Sequence, residues 1–396
     1  MNTKFLTLSA AVFLHLSVFS QIMVSTLVGP NSGIEDALAI DKHGNIYGSH
    51  FGTPGAGGGV VYKLDTSGNK TAFASGFSSC NGLAFDHQGR LHVVEFGGNV
   101  NNSRVYQLDS LGNKTTYGPK IPGASGIVLD PLSDTFFVSQ YSSSQGNRIS
   151  KLSPDGKVSL FCNQPGLNGP VGMAFDHNHN MYVANFNNGN IYRIHNNGDS
   201  ISLLAAIPFT TNWGIGFLTF ASGSLYATGI GVHKVFKISL TGEVSLIAGT
   251  GSTGSTNGAG NVAKFNRPNG ITTNAAQDRL YVSELITSTV REITGILDVT
   301  ATHEVENQKL ISSLSCFPNP AIHSTQISYE VKEACFTRLQ IFSSKGELLQ
   351  TLVSGPQNKG VYNYQLDTTP LSPGTYVCIL MNDENSQSFQ FLVTQP

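Results

Sequence analysis

The segment FDHNHNMYVANF, residues 175–186, contains an unbroken run of side chains of the types that bind metal ions. They are Asp176, His177, Asn178, His179 and Asn180. A carboxylate, two imidazoles and two amides could together hold a divalent cation. An EF-type calcium loop would also need glycine at its sixth position and glutamate at its twelfth. Those positions hold Met181 and Asn187, so we predict a turn here and not a metal loop.

This segment is one copy of a repeat. Similar stretches begin at Ala39, Ala84, Val128 and Ala174, with more degenerate copies at Thr219 and Thr272. The aspartates of the first four copies lie 45, 44 and 46 residues apart. A period of this length is typical of a solenoid or a propeller.

Each copy predicts four short strands separated by turns rich in Gly, Asn, Asp and Ser. In the second copy they are GLAFD, RLHVVEF, SRVYQLD and NKTTYG. The first is apolar, as expected of a strand buried on both faces, whereas the last carries Lys and Thr, as expected of an outer strand. Six such units predict an all-β fold, a six-bladed β-propeller over residues 21–296.

The sixth unit lacks an outer strand of its own. The segment IMVSTLVG, residues 22–29, resembles the outer strands KVSLFC and EVSLIAG of earlier units. We therefore predict that it pairs with the last blade and closes the ring, because an open sheet edge would otherwise remain.

The starts of first strands and the ends of second strands lie on one face of a propeller, around the mouth of its channel. Polar residues and the single tryptophan at these positions form the predicted ligand-binding set. They are Asp36, His50, Asn81, Glu95, Gln140, Asn185, Trp213, Asn269 and Glu284. Glu95 or Glu284 would be the candidate general base. The alternative is that these groups only border the water-filled channel of any propeller.

Several other kinds of chemistry are not indicated. Only 12% of the residues are charged and the net charge is −2, which does not favour binding to nucleic acid. The five cysteines show neither CxxC nor His-paired zinc spacing. The glycine-rich segment AGTGSTGSTNGAG opens no predicted helix and therefore predicts no phosphate loop. Four histidines without metal spacing are expected at the surface: His87, His92, His177 and His195.

Residues 1–20 are predicted to be a secretory signal peptide. Lys4 precedes an apolar run over residues 5–19, and Val18 and Ser20 occupy the −3 and −1 positions of a cleavage site. The run is too short to span a bilayer. We therefore predict export, with no transmembrane segment once the signal is removed.

Residues 246–294 closely resemble the NHL-repeat family of propellers. The resemblance is carried by the segments NGAGNVAKFNRPNGI, LYVSE and VREIT. Earlier units resemble NHL repeats more loosely and are also similar to the gluconolactonase-like (SMP-30) propellers. The NHL resemblance implies a binding platform, whereas the gluconolactonase-like resemblance implies a divalent-metal lactonase or esterase.

The gluconolactonase-like resemblance also implies a metal site. Its nearest matches in this chain are Glu35 or Asp36 for the acidic ligand, together with Asn81 and Asn269, and Ca²⁺ or another divalent cation would be the cofactor. Asn269 stands where that family has Asp, which leaves a weaker site for a hard cation. Streptogramin-lyase-like propellers carry His at such inner-strand starts, where this chain also has Ser125 and Val171; that branch is disfavoured.

The repeat ends after Thr294. We predict a linker over residues 297–314 and a separate C-terminal unit over residues 315–396, whose alternating strands favour a small β-sandwich. The segments FPNP, IFSSKGELL and LSPGTY resemble the C-terminal sorting domain of the type IX secretion system of Bacteroidetes. This resemblance implies that the type IX machinery is a partner and that the protein is secreted or lies on the outer cell surface.

The sequence thus predicts an exported propeller that binds an extracellular ligand or partner through its channel-mouth face. The alternative is a divalent-metal-dependent lactonase or esterase on the same face. Whether the chain is an enzyme, and which ligand or cofactor it takes, stay open at this stage.

Overall fold

The computed structural model describes residues 21–52, 58–97, 99–141, 147–209, 211, 213–297, 311–344, 348–382 and 386–394. Strands make up nearly all regular structure in these ranges, which confirms the all-β prediction. The helical segments found there are two single 3₁₀ turns, Val100–Asn102 and Asn196–Gly198. The predicted signal peptide and most of the predicted linker lie outside the described residues.

The strands of residues 23–294, as far as the structure describes them, form six consecutive sheets. The first described strand, β1 (Met23–Val28), belongs to the last of them. The first sheet contains β2 (Leu38–Ile40), β3 (Ile46–His50), β4 (Gly59–Leu64) and β5 (Lys70–Phe77). The second contains β6 (Cys80–Phe85), β7 (Leu91–Glu95), β8 (Arg104–Leu108) and β9 (Lys114–Tyr117). The third contains β10 (Ala124–Leu129), β11 (Phe136–Gln140), β12 (Arg148–Leu152) and β13 (Val158–Cys162).

The fourth and fifth sheets continue the pattern of antiparallel neighbours in chain order. The fourth contains β14 (Pro170–Phe175), β15 (Met181–Asn185), β16 (Asn190–His195) and β17 (Ser200–Ala206). The fifth contains β18 (Ile215–Ala221), β19 (Ser224–Gly229), β20 (Lys234–Ser239) and β21 (Val244–Ala248). The sixth contains β22 (Gly258–Ala259), β23 (Pro268–Thr273), β24 (Arg279–Glu284) and β25 (Val290–Thr294), together with β1, and has the order β22, β1, β25, β24, β23.

Burial decreases from the inner to the outer strand of each sheet. In the second sheet every residue of β7 is buried, whereas Lys114, Thr115 and Thr116 on β9 are exposed. The apolar inner strands pack against neighbouring sheets, and the outer strands tolerate polar side chains because water reaches them. Such a succession of sheets gives the molecule a propeller-type fold.

The N-terminal strand closes the sixth sheet, as predicted. β1 pairs antiparallel with β25 in the register Met23 to Thr294 and Val24 to Ile293. Val24 is buried in a core that includes Phe265 and Ala248. The first described strand of the chain therefore forms part of the last sheet of the propeller.

Glycine near the start of the inner strands lets neighbouring sheets approach closely. A Cβ atom on Gly126 would lie 2.0 Å from the carbonyl oxygen of Val171 in the next sheet. The same carbonyl accepts a hydrogen bond from Ser139 Oγ at 2.9 Å. An equivalent contact, from Ser283 Oγ to the Asp36 carbonyl at 2.6 Å, joins the sixth sheet to the first.

Residues 311–393 form two further sheets. One has the strand order β26 (Ile311–Phe317), β27 (Ser324–Val331), β30 (Gly360–Asp367). The other has the order β29 (Leu348–Gln357), β28 (Cys335–Ser343), β31 (Gly374–Met381), β32 (Ser386–Val393). Both contribute to one apolar core, with Ile327 and Val331 from the first and Leu339 and Leu380 from the second.

The C-terminal sheets contact the propeller at the turns between first and second strands. The ring of Phe336 stacks on His177 with a centroid distance of 4.3 Å and an interplanar angle of 6°. The Arg338 guanidinium donates to Gln277 Oε1 at 2.9 Å and lies 3.4 Å from His177 Nε2. The expectation that the histidines lie at the surface is wrong for His92, which has no exposed area, and His177 packs against these C-terminal side chains.

Candidate functional site

The opening run of ligand-type residues folds as a turn. Asp176 Oδ1 accepts hydrogen bonds from the backbone N–H groups of Asn178 and Asn180 at 2.8 and 2.9 Å. Its Oδ2 accepts from Asn180 Nδ2 at 2.7 Å and from the Tyr182 hydroxyl at 2.9 Å. The carboxylate is thus used to shape the hairpin. Among the described residues, no group of three or more His, Cys, Asp or Glu side chains could hold a metal ion.

A cavity of about 490 Å³ opens on the opposite face, where the inner strands begin. Four members of the predicted ligand-binding set line it: Asp36, Asn81, Trp213 and Asn269. Ser125 and Val171, which also begin inner strands, complete its polar and apolar floor. The structure therefore brings the predicted inner-strand positions together at one cavity.

Most of the wall consists of apolar side chains that follow the second strand of each sheet. We call these six residues and Trp213 the aromatic wall: Phe51, Phe96, Tyr141, Phe186, Ile230, Leu285 and Trp213. The Tyr141 and Phe186 rings meet edge to face at 5.4 Å, and Phe186 lies 5.9 Å from Trp213. Phe51 and Phe96 form a second pair at 6.2 Å.

Backbone hydrogen bonds fix the aromatic wall. The N–H of Phe96 donates to the carbonyl of Ser79 at 3.0 Å, and that of Phe186 donates to Gly169 at 2.8 Å. Each of these acceptors immediately precedes the first strand of the same sheet. The end of the second strand is thereby tied to the start of the first, and its following side chain is held at the cavity.

The other five predicted residues lie outside the described lining of the cavity. They are His50, Glu95, Gln140, Asn185 and Glu284. Each ends a second strand, and because successive side chains of a strand point in opposite directions, the residue after it faces the cavity instead. Sequence reasoning therefore selected the neighbour of each wall residue and missed the wall itself. The aromatic residues at the next position of the first four repeats were the signal that could have revealed it.

These strand-end groups bond to the protein itself. Glu95 accepts from the backbone N–H of Ser78 at 2.8 Å. Gln140 Nε2 donates to the Pro122 carbonyl, and Asn185 Nδ2 donates to the Gly166 carbonyl, both at 2.7 Å. His50 Nδ1 lies 2.8 Å from Glu35 Oε1. The side chains thus hold loops beside the inner strands.

Glu284 belongs to a buried ion pair. Its Oε1 lies 2.9 Å from Arg291 Nη1, and both side chains are inaccessible to solvent. Arg291 also donates to the Lys264 carbonyl at 2.8 Å and to Asn257 Oδ1 at 2.7 Å. A buried charge without a partner would destabilise the fold, so the two side chains are expected to stay paired. Through the bonds of Arg291, the pair holds the segment between β21 and β23 in place. The Glu284 carboxylate therefore has a structural role.

The floor of the cavity joins the first and last sheets of the propeller. Asn269 Nδ2 donates to Asp36 Oδ1 at 2.9 Å. Burial raises the pKa of Asp36 to about 7; the nearby Glu35 carboxylate adds to the rise, and the hydrogen bond from Asn269 opposes it. Asn81 Nδ2 donates to the Ala124 carbonyl at 3.4 Å, while its buried Oδ1 has no hydrogen-bond partner among the described residues. The floor therefore presents acceptor oxygens.

The predicted metal ligands do not fit a calcium site as they are arranged. Ca²⁺ takes six to eight oxygen ligands, and carboxylates provide much of the charge. The other two matched positions, Asn81 and Asn269, are neutral amides, and Asn269 turns its NH₂ group toward the Asp36 carboxylate. The alternative acidic residue, Glu35, directs its carboxylate to His50 and Ser288. The set offers too little charge for a hard cation, and we assign no chemistry to a metal here.

Comparison with known proteins gives a family for the C-terminal sheets. Residues 315–394 match the family described as the secretion system C-terminal sorting domain. The chain ends in a type IX sorting domain. The sorting domain identifies a secreted or outer-surface protein, which confirms the predicted location. No helix among the described residues is long and apolar enough to cross a membrane.

Comparison with solved structures concerns the propeller. An auxiliary nutrient binding protein from Bacteroides thetaiotaomicron is 13% identical, with a TM-score of 0.57 over 69% of this chain and 76% of its own. A gluconolactonase from Xanthomonas campestris is 14% identical, with a TM-score of 0.53 over 71% of this chain and 93% of its own. At these identities the likeness concerns the fold alone. A search of curated proteins found no match.

Proposed function

We propose that this exported propeller binds a small extracellular organic molecule in the cavity at its channel mouth. The observation that carries the proposal is the aromatic wall, which lines a cavity of about 490 Å³ and of which every member except Trp213 follows the second strand of a sheet. Ligand sites are typically concave and apolar, with a few polar groups that orient the ligand. Asp36, Asn81 and Asn269 would be those groups.

The proposal includes a closed ring of six blades and a C-terminal β-sandwich. Six sheets in chain order, the pairing of β1 with β25, and the hydrogen bond from Ser283 to the Asp36 carbonyl support the ring. Two sheets that share one core support the sandwich. A closed ring is what would bring residues of the first and sixth sheets together at one floor.

The single tryptophan of the chain offers a direct test. Because Trp213 lines the cavity and is the only Trp, tryptophan fluorescence reports on occupancy without a label. We expect a saturable fluorescence change when the full chain is titrated with suitable small aromatic or cyclic molecules of neutral, cationic and anionic types. Phe96→Ala should weaken this binding by about tenfold or more, since a buried aromatic contact is lost.

Phe317→Ala provides a matched control, because Phe317 is an exposed phenylalanine of the sorting domain. It should leave the titration unchanged. A library that produces no saturable change, or binding that Phe96→Ala does not weaken, would contradict the proposed site.

The lactonase alternative has less support from the same residues. Glu284 is locked in its ion pair with Arg291, and Glu95 accepts a backbone hydrogen bond outside the cavity lining. Asp36 is the carboxylate that lines the cavity. Hydrolysis of lactones or aryl esters by the full chain that Asp36→Asn abolished would favour the enzyme.

A further inference from the structure

The cavity combines an aromatic wall with a floor of acceptor oxygens. Asp36 and Asn81 are both more than nine-tenths buried. Both hydrogens of the Asn269 NH₂ group are used, on Asp36 Oδ1 and the Glu35 carbonyl, and one hydrogen of the Asn81 NH₂ group is used on the Ala124 carbonyl. Asn81 Oδ1 has no partner in the described part of the chain. These acceptor oxygens favour an occupant that supplies hydrogen-bond donors.

In the described part of the chain, the Asp36 carboxylate has no basic side chain as its own partner. The titratable groups near Asp36 are Glu35, whose carboxylate lies 2.8 Å from His50 Nδ1, and the Cys80 thiol. The hydrogen bond that Asp36 receives comes from a neutral amide. Ionised Asp36 has lost much of its hydration, and a cation placed beside it would restore the balance.

Aromatic rings also attract cations. A positive group over the face of Trp, Tyr or Phe is stabilised by the ring quadrupole, and aromatic cages use this effect to bind alkylated ammonium groups. One ring of the aromatic wall already contacts a cation: the Arg267 guanidinium lies 4.8 Å from the Trp213 ring centre. Arg267 itself lies outside the lining of the cavity.

We propose that the ligand is an organic amine in its protonated form, whose ammonium group contacts Asp36 and Asn81 Oδ1 and whose apolar body packs against the aromatic wall. This inference rests on the proposed function and specifies its ligand class. A neutral sugar would also offer donors, but it would leave the Asp36 charge uncompensated and would bury hydroxyl groups against apolar side chains.

Three probes of equal size and different charge test the inference: phenylbutylamine, phenylbutanol and phenylbutyrate. Each is titrated into the full chain by Trp213 fluorescence, with calorimetry as a second readout. Near pH 8.5 we expect the amine to bind about tenfold tighter than the alcohol, or more, and the carboxylate to bind weakest. Asp36→Asn should remove the preference for the amine over phenylbutanol. Asp155→Asn, an exposed turn residue next to Lys157, is the matched control and should leave the preference for the amine as it is in the native chain.

The outcomes separate the two proposals. If the alcohol or the carboxylate binds as tightly as the amine, the amine inference is overturned and the binding function stands. If none of the three changes the fluorescence or releases heat, both are overturned. The comparison of probes uses the native chain, so it remains decisive even where Asp36→Asn fails to fold.

Discussion

His92 is a histidine enclosed within the second and third sheets. Its ring lies 4.7 Å from that of Tyr117 and 4.3 Å from that of Phe136, measured between centroids. Gln107 Nε2 lies 3.2 Å from His92 Nε2, and the nearest carboxylate, that of Asp86, is 3.9 Å away. Burial lowers the pKa of His92 to about 4, and the attraction of Asp86 opposes the shift. The folded protein therefore holds this ring neutral.

This burial predicts a loss of stability in acid. Between pH 6.5 and about 4 the unfolded chain protonates His92 while the folded chain does not, so the free energy of unfolding falls as the pH is lowered through that range. His92→Phe, which keeps an aromatic ring among the same neighbours, should reduce this dependence. Chemical denaturation at a series of pH values measures it.

The exposed turn residue His43 supplies the control, and His43→Gln should follow the native curve. A His92→Phe variant with the same pH profile as the native chain would show that this ring does not cause the acid sensitivity.

The sequence revealed some site residues and not others for a physical reason. Asp36, Asn81 and Asn269 begin inner strands, and a repeat alignment locates the start of a strand well. At the end of a second strand, either of two successive side chains could face the cavity. In the second sheet the choice between Glu95 and Phe96 depends on the residue at which strand pairing ends. A shift of one residue in the strand end reverses the direction in which each side chain points. The local amino-acid composition does not show at which residue the strand ends. The environments of His92 and Asn81 Oδ1 depend on residues far away in the chain.

At the level of elements, β1 is the strand on which the proposed closure of the ring depends. Its Val24 is 2% exposed and packs with Phe265 and Ile293, although the two ends of this sheet are distant in sequence. The same strand places Met23 in solvent. One strand thus offers a buried and an exposed position for comparison.

Val24→Asp should destabilise the protein by about 3 kcal/mol or more, because it buries an unpaired charge in the seam between β1 and β25. Met23→Asp should cost much less. Thermal unfolding followed by circular dichroism compares the two. Equal losses of stability would mean that the pairing of β1 contributes little to the fold.

The elements were more predictable than the side chains of the site. Alternating and apolar strands repeat with a nearly constant period, and the outer-strand pattern of residues 22–29 can be recognised from the sequence alone. The contact between Phe336 and His177 was not, because packing between distant parts of a chain leaves no periodic pattern in either part.

At the level of the whole molecule, the sorting domain contacts the turn face of the propeller through side chains that include Phe336 and Arg338. Phe336 covers His177, and Arg338 bonds to Gln277. Burial lowers the pKa of His177 to about 4, with the positive charge of Arg338 adding to the effect.

Removing the two side chains should release the contact. For Phe336→Ala combined with Arg338→Ala we expect a larger radius of gyration in small-angle X-ray scattering, with both domains still folded by circular dichroism. Leu349→Ala, an exposed position of the same domain, should have no effect. An unchanged radius for the double variant would mean that these residues do not hold the domains together.

The aromatic wall and the sorting domain occupy opposite ends of the propeller axis. A chain tethered to the cell through its C-terminal end would consequently direct its cavity toward the surrounding medium. An occupant would then enter or leave from the side that faces away from the anchor, and detachment of the tail would leave that entrance as it was.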